Sequence, residues 1–429
     1  MMIAIVFIVF FVGLALAVPI AVALVYGAWA PIMLGAPGLS GIGYLIRNAF
    51  SGADTTPIIA VPLFIFAGVI MAEGGISRRL FNIFAYQVGK KTAGMPIAVI
   101  LTCIFYSSIS GSGPATTAAV GAMAIPFLVE LGYDKKFVAS LIAVTGGLGV
   151  VLPPSIPFVL YSLATGVSLS ALFLAGILPG LFIGLCMMIH AYFYCKTKGE
   201  DTERIHARVN ELRKTKFSIL FRDSIWALIS PIIVLGGIYS GFFTPTEAAC
   251  VSVFYSLIIS VFVYKSVPVR EMPRFMRQAV KTYAPLCFVI AFAIAFGRVL
   301  AMLKAPALIS DFLLGKFTTQ ISLILVLLFI LYTIGMVMDT GPVIVIMAPI
   351  LLPIVASVGV HPVHFGVIMV VNLSIGLSTP PFGLHLFVTG ALSDLPPMTI
   401  AKKGLPFMGT YTVALVIIAL VPAFSLLLL

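Results

Sequence analysis

Four stretches of an otherwise apolar chain place oxygen-bearing groups where helices should break. Ser107 and Ser110 lie in SSISGSGPATT at 107–117, and Asp339 and Thr340 open DTGP at 339–342. GLGVVLPPS at 147–155 contains Gly149 and Pro153, and GLSTPPF at 376–382 contains Gly376, Thr379 and Pro380. Proline removes a backbone N–H and glycine loosens the helix, so nearby carbonyls lose their partners. In hydrocarbon those carbonyls must be satisfied. A desolvated Na⁺ can do this, because a hard cation takes carbonyl and hydroxyl oxygens. The pattern predicts two cation sites: Ser107, Ser110, Gly149 and Pro153 in the first, Asp339, Thr340, Gly376, Thr379 and Pro380 in the second. The competing reading is that Gly and Pro kink packed helices while Ser and Thr glue them.

Helix N-termini suit a carboxylate. Those starting near Ser112–Gly113 and Gly341 are candidates for a substrate anion. Arg298 is a further candidate, since a guanidinium can grip a carboxylate with two hydrogen bonds. Its alternative is a snorkelling interfacial residue. Asp339 could orient the second site or touch substrate. Glu73 reads as an interface charge, Glu247 lies near an apolar run, and His190 and His385 read as packed, hydrogen-bonded histidines. No HExxH, GxSxG or GxxxxGK[ST] motif occurs, so neither an enzyme nor a nucleotide-driven pump is supported. No CxxC pair occurs, and no cofactor beyond the coupling ion is implied.

The elements that position these groups belong in a membrane. Of 429 residues 61% are hydrophobic and 9% charged, and mean hydropathy is +1.19. A soluble globule averages about 25% charged residues. Apolar runs predict spanning helices near 2–34, 57–73, 136–165, 168–195, 225–241, 244–264, 282–303, 363–392 and 406–429. The regions 95–131 and 321–358 have a polar break in the middle and read as re-entrant hairpins, with paired full spans as the alternative. Counting crossings puts 21 of the 25 Lys and Arg on one side. That side is the cytoplasm, with the N-terminus cytoplasmic and the C-terminus periplasmic. The net charge of +11 therefore reports orientation in a lipid bilayer rather than binding to nucleic acid. Residues 196–223 hold 13 of the 39 charges and read as a solvated cytoplasmic linker. Residues 76–92 and 265–281 read as helices lying at the cytoplasmic interface.

A shift of 227 residues aligns the chain with itself. Pro126, Gly132, Gly149, Pro153, Pro154 and Pro179 meet Pro353, Gly359, Gly376, Pro380, Pro381 and Pro406. An odd number of spans separates the two hairpins, so the halves form inverted repeats, a pattern of secondary transporters. The expected fold is an all-α integral membrane protein with inverted repeats, two re-entrant hairpins and two discontinuous helices. Scaffold and an interfacial helix would occupy 1–94, and the first core and a connecting helix 95–195. The linker at 196–223 leads to scaffold at 224–304, and the second core and last helix follow at 305–429.

SSISGSGPATTAAVGAMAIPFL, GGLGVVLPPSIPFVLY and GLSTPPFGLHLFV strongly resemble the large membrane subunit of TRAP transporters, the DctM-like family, over essentially the whole chain. The resemblance implies an elevator-type fold of the ion-transporter superfamily. It implies Na⁺-coupled uptake of an organic anion, sialic acid or a C4-dicarboxylate, across a bacterial inner membrane. It also implies a periplasmic substrate-binding protein and a separate small membrane subunit of about four helices. Two other functions compete. A stand-alone Na⁺/dicarboxylate carrier usually shows Ser-Asn-Thr at its tips, and this chain has none. A non-transporting membrane receptor or assembly factor gains nothing from repeated breaks at the midplane.

Overall fold

The structure, a computed structural model, describes residues 2–39, 41–317 and 319–429, and these form helices and the turns between them, without a strand. The chain opens with α1 (Met2–Ala15) and α2 (Ile20–Met33). Here the expectation of one span over 2–34 is corrected. Gly13 faces Ala23, and Gly27 faces the Val6 carbonyl and Phe10, so the two helices run antiparallel. Pro19 precedes α2 and Ala17 has φ 57°, which turns the chain without any polar residue. Both ends of this pair therefore lie on one face, where a single span over 2–34 would put them on opposite faces.

After α3 (Gly41–Ala53), a 3₁₀ turn at Thr56–Ile59 leads into α4 (Ala60–Glu73). The helix α5 (Ile76–Val88) is amphipathic, as its mixed basic and apolar sequence predicts. The first hairpin follows: α6 (Gly94–Ser110) and α7 (Gly113–Glu130), joined by Gly111–Ser112. Gly111 takes φ 61°, the left-handed region that glycine adopts readily. Next come α8 (Lys135–Thr145), α9 (Leu148–Val151), α10 (Ile156–Thr165) and the long α11 (Leu169–Lys198). The expected linker is partly folded. Its α12 (Thr202–Arg213) is N-capped by Asp201, which accepts from Arg204 N–H at 3.1 Å, and it buries Ile205 and Val209.

The second half contains α13 (Phe217–Tyr239) and α14 (Pro245–Leu257), the latter continued by a π turn at Ile258–Val263. The helix α15 (Met272–Met302) corrects a second expectation. The basic stretch at 265–281 is not a separate interfacial helix; its latter part forms the first turns of this 31-residue helix. At 1.5 Å per residue α15 is about 46 Å long, more than the ~30 Å hydrocarbon core. Then follow α16 (Ala305–Lys316), α17 (Gln320–Gly335), α18 (Thr340–Ser357), α19 (Pro362–Gly376), α20 (Leu384–Ser393), α21 (Pro397–Leu420) and α22 (Ala423–Leu426).

Among the described residues seven helices are long and apolar enough to cross a bilayer, and up to nine if each of two bent pairs counts as one span. Pairings exchange between the halves: α4 packs on α14 and α2 on α15, while α7 packs on α20 and α10 on α18. The two hairpins thus lie against each other's broken helices, which brings all four polar stretches toward one centre.

Candidate functional site

At the first tip, Ser110 is buried and its Oγ lies 2.8 Å from Thr116 Oγ1 and 3.3 Å from the Ser112 carbonyl oxygen. Ser112 caps α7, accepting from Ala115 N–H at 3.5 Å. Gly149 fits against this group without a side chain. A Cβ there would fall 2.6 Å from both the Ser112 oxygen and Thr116 Oγ1. Ser110, Gly149 and the Ser112 carbonyl are therefore brought together as an oxygen cluster. Ser107 lies a turn earlier in α6 and donates to the Cys103 carbonyl at 2.5 Å. Pro153 sits in the break Leu152–Ser155, between α9 and α10. That break is tied to the tip: Ile156 N–H donates to the Gly111 carbonyl at 3.1 Å, and Gly111 leaves no room for a Cβ, which would meet the Pro154 oxygen at 2.7 Å.

The second tip has a related tie with different chemistry. Phe382 N–H donates to the Met336 carbonyl at 3.3 Å. Gly376 meets Gly335 backbone to backbone, with a Cβ on Gly376 falling 2.5 Å from the Gly335 carbonyl carbon. Thr379 Oγ1 lies 3.1 Å from Tyr332 OH and donates to the Ile375 carbonyl at 2.8 Å. Asp339 and Thr340 are placed otherwise than expected. Asp339 is exposed and caps α18, accepting from Thr340 N–H at 2.7 Å and Thr340 Oγ1 at 3.3 Å. The contacts binding this tip to its break run through Tyr332, Gly335 and Met336, upstream of both residues. Gly341 instead packs against Leu286 of α15 and Leu160 of α10.

Between the tips the two breaks cross. Ser374 Oγ donates to the Gly147 carbonyl at 2.7 Å and lies 2.9 Å from Tyr411 OH. Ser378 Oγ donates to the Ala143 carbonyl at 2.8 Å and lies 3.1 Å from His385 Nδ1. His385 is fully buried. Gly113 sits against its ring, where a Cβ would fall 2.6 Å from Nε2. His190 also packs with a partner, its Nδ1 2.8 Å from Thr410 Oγ1. None of Thr116, Tyr332, Gly335, Ser374, Ser378 or Tyr411 was singled out from sequence. The density of Ser and Thr around 372–379 was the available signal for two of them; Tyr332 gave none.

Arg298 is not brought to either tip. Its side chain is exposed on α15 and Nη1 donates to Asn48 Oδ1 of α3 at 2.5 Å. Leu286, the α15 residue that touches Gly341, is twelve residues away, about 18 Å along the helix. Of the two readings of Arg298, a substrate contact or an interfacial residue, the structure shows a guanidinium paired with Asn48 and apart from both tips. Glu73 is exposed at the end of α4. Glu247 completes a capping box with Thr244 at the start of α14. A cavity of about 670 Å³ lies between α5, α7 and α12.

Residues 7–424 match the family described as tripartite ATP-independent periplasmic transporter, DctM component. The chain belongs to this family. Among other DctM relatives, it is 42% identical to the isethionate TRAP transporter permease protein of Oleidesulfovibrio alaskensis, over 96% of this chain and 64% of that protein. It is 38% identical to the C4-dicarboxylate TRAP transporter large permease protein of Pseudomonas aeruginosa, over 89% and 88% of the two chains. The YdaH transporter of Alcanivorax borkumensis superposes with a TM-score of 0.66 over 90% of each chain, at 13% identity. That last likeness concerns fold alone. The relatives are transporter permeases rather than enzymes, and a multi-pass membrane protein is the form this DctM component takes.

Proposed function

We propose that this chain is the translocating subunit of a Na⁺-coupled carrier importing an organic anion across a bacterial inner membrane. A periplasmic substrate-binding protein delivers the anion, and a small four-helix membrane subunit stands beside the scaffold. The observation that carries this reading is the matched docking of each tip on its own break, Ile156 on Gly111 and Phe382 on Met336. Five crossings separate the two hairpins, so the halves are inverted and two arrangements of one core can exchange. Residues 95–165 and 321–392 move together past the remaining helices in an elevator step.

Na⁺ binds first, at the Ser110–Ser112–Thr116 cluster beside Gly149 and near Thr379 at the second break, and substrate follows between the tips. The substrate class is a small organic oxyanion, carboxylate or sulfonate, since one relative is named for isethionate and the other for C4-dicarboxylates. The charge count still puts the basic loops in the cytoplasm. With a hairpin replacing one span at 2–34, it moves the N-terminus to the periplasmic side, with the C-terminus.

The test is Na⁺ titration of uptake by Ser110→Ala combined with Thr379→Ala. Losing one oxygen at each site raises the half-saturating Na⁺ concentration on the order of tenfold or more. An unchanged Na⁺ dependence contradicts the site assignment.

A further inference from the structure

One carboxylate joins both ends of the first hairpin. Glu200 Oε2 accepts from Ala93 N–H at 2.8 Å, and Oε1 accepts from Tyr133 OH at 2.5 Å. Ala93 is the residue before α6, and Tyr133 follows the end of α7. Both neighbouring turns are left-handed, with φ 58° at Ala93 and 92° at Gly132. Burial and the Glu200 carboxylate raise the Tyr133 phenol above its ordinary value, which keeps it a donor.

Glu200 is itself held in place. It sits between the end of α11 and Asp201, the cap of α12. The far end of α12 is fastened where Arg213 Nη2 donates to the Tyr86 carbonyl at 3.0 Å. Among the described residues no carboxylate joins both ends of the second hairpin. A shift of 227 residues puts Val360 where Tyr133 stands and Leu427 where Glu200 stands, and neither side chain can make a hydrogen bond.

We propose that Glu200 is a positioning residue for the first cation site: it pins the base of the α6–α7 hairpin and thereby fixes the register of the tip. This rests on the reading of the Ser110 cluster as a Na⁺ site. The physical reason is geometric. Ser110 is at the end of α6 and Thr116 near the start of α7, and their oxygens are 2.8 Å apart. A slip of one helix along the other by a single residue is ~1.5 Å, enough to open that pair. The two-residue turn restrains one end of the hairpin. Glu200 restrains the other, about 26 Å away along the 17 residues of α6.

The experiment measures Na⁺-dependent uptake and thermal stability for Glu200→Ala, Glu200→Gln, Tyr133→Phe and the Glu200→Ala/Tyr133→Phe pair, with both partner proteins present. Glu200→Ala raises half-saturating Na⁺ on the order of tenfold and Tyr133→Phe about threefold. The pair is no worse than Glu200→Ala, because both changes break one contact. Glu200→Gln, which keeps the acceptor for Ala93, recovers most of the Na⁺ affinity. Substrate KM at saturating Na⁺ stays within twofold throughout. A Tyr133→Phe chain with wild-type Na⁺ affinity overturns the proposal, as does a loss of melting temperature with Na⁺ affinity unmoved. Should Glu200→Ala fail to fold, Tyr133→Phe alone decides. Wild-type uptake that ignores Na⁺ overturns the reading of the site, and this proposal with it.

Discussion

The two hairpins occupy matching places in the chain and are built differently. The first ends in a tight Gly111–Ser112 turn and gathers hydroxyl and carbonyl oxygens around Gly149. It is fastened at its base by Glu200, and its α7 leaves Ala115, Ala122 and Pro126 exposed along one side. The second ends in a longer turn at Met336–Asp339 and meets its break through glycine backbones. Its α18 is buried over Thr340–Ile346. The difference teaches that two hairpins can dock on their breaks in matching ways with different chemistry: the first gathers hydroxyl and carbonyl oxygens at its tip and exposes one side of α7, whereas the second buries the start of α18 and exposes Ile321, Leu325 and Phe329 of α17.

Substitutions at the paired glycines should break this comparison most sharply. Gly149→Ala thrusts a methyl between the Ser112 and Thr116 oxygens. The expected result is uptake reduced on the order of 100-fold, about 2.7 kcal/mol, with a raised half-saturating Na⁺ and a lower melting temperature, because the methyl also meets the Ser112 carbonyl and the Gly113 Cα. Gly376→Ala drives a methyl into the Gly335 backbone, and overpacking of this kind costs roughly 1–3 kcal/mol. Here the melting temperature should fall along with uptake. If either variant keeps the wild-type melting temperature, the close packing at that break is contradicted.

Tyr332→Phe probes the second site alone. It removes the contact to Thr379 Oγ1, worth about 1 kcal/mol, so half-saturating Na⁺ should rise about fivefold. Wild-type Na⁺ affinity would place the second ion elsewhere. The smallest effect is expected for Arg298→Ala. Its guanidinium serves Asn48 rather than a tip, so substrate KM should change less than twofold. A tenfold rise would return Arg298 to the substrate path.

The tips and breaks were legible in sequence because Gly, Pro, Ser and Thr stand out inside apolar runs. Their partners were not. Thr379 could be named from its motif, but Tyr332 lies 47 residues away in a helix without polar signal. The turn between α1 and α2 escaped for a related reason: Leu16–Pro19 is as apolar as the helices it joins, so hydropathy records one run where the backbone doubles back. At α15 the opposite happened. Charges at 270–281 flank the apolar run, but a helix needs no break there: α15 begins at Met272 and carries on through them. The two readings of Arg298 stayed open in sequence because its partner, Asn48, is 250 residues distant and nothing local announces it.

The most direct test of the central claim is uptake into proteoliposomes that contain this chain and its small membrane partner. Candidate anions are supplied with and without a loaded substrate-binding protein, under an inward Na⁺ gradient or with K⁺ in its place. The account predicts accumulation only when the binding protein and the Na⁺ gradient are both present. Accumulation without the binding protein would contradict the tripartite reading in favour of a stand-alone carrier, and accumulation in K⁺ would contradict Na⁺ coupling.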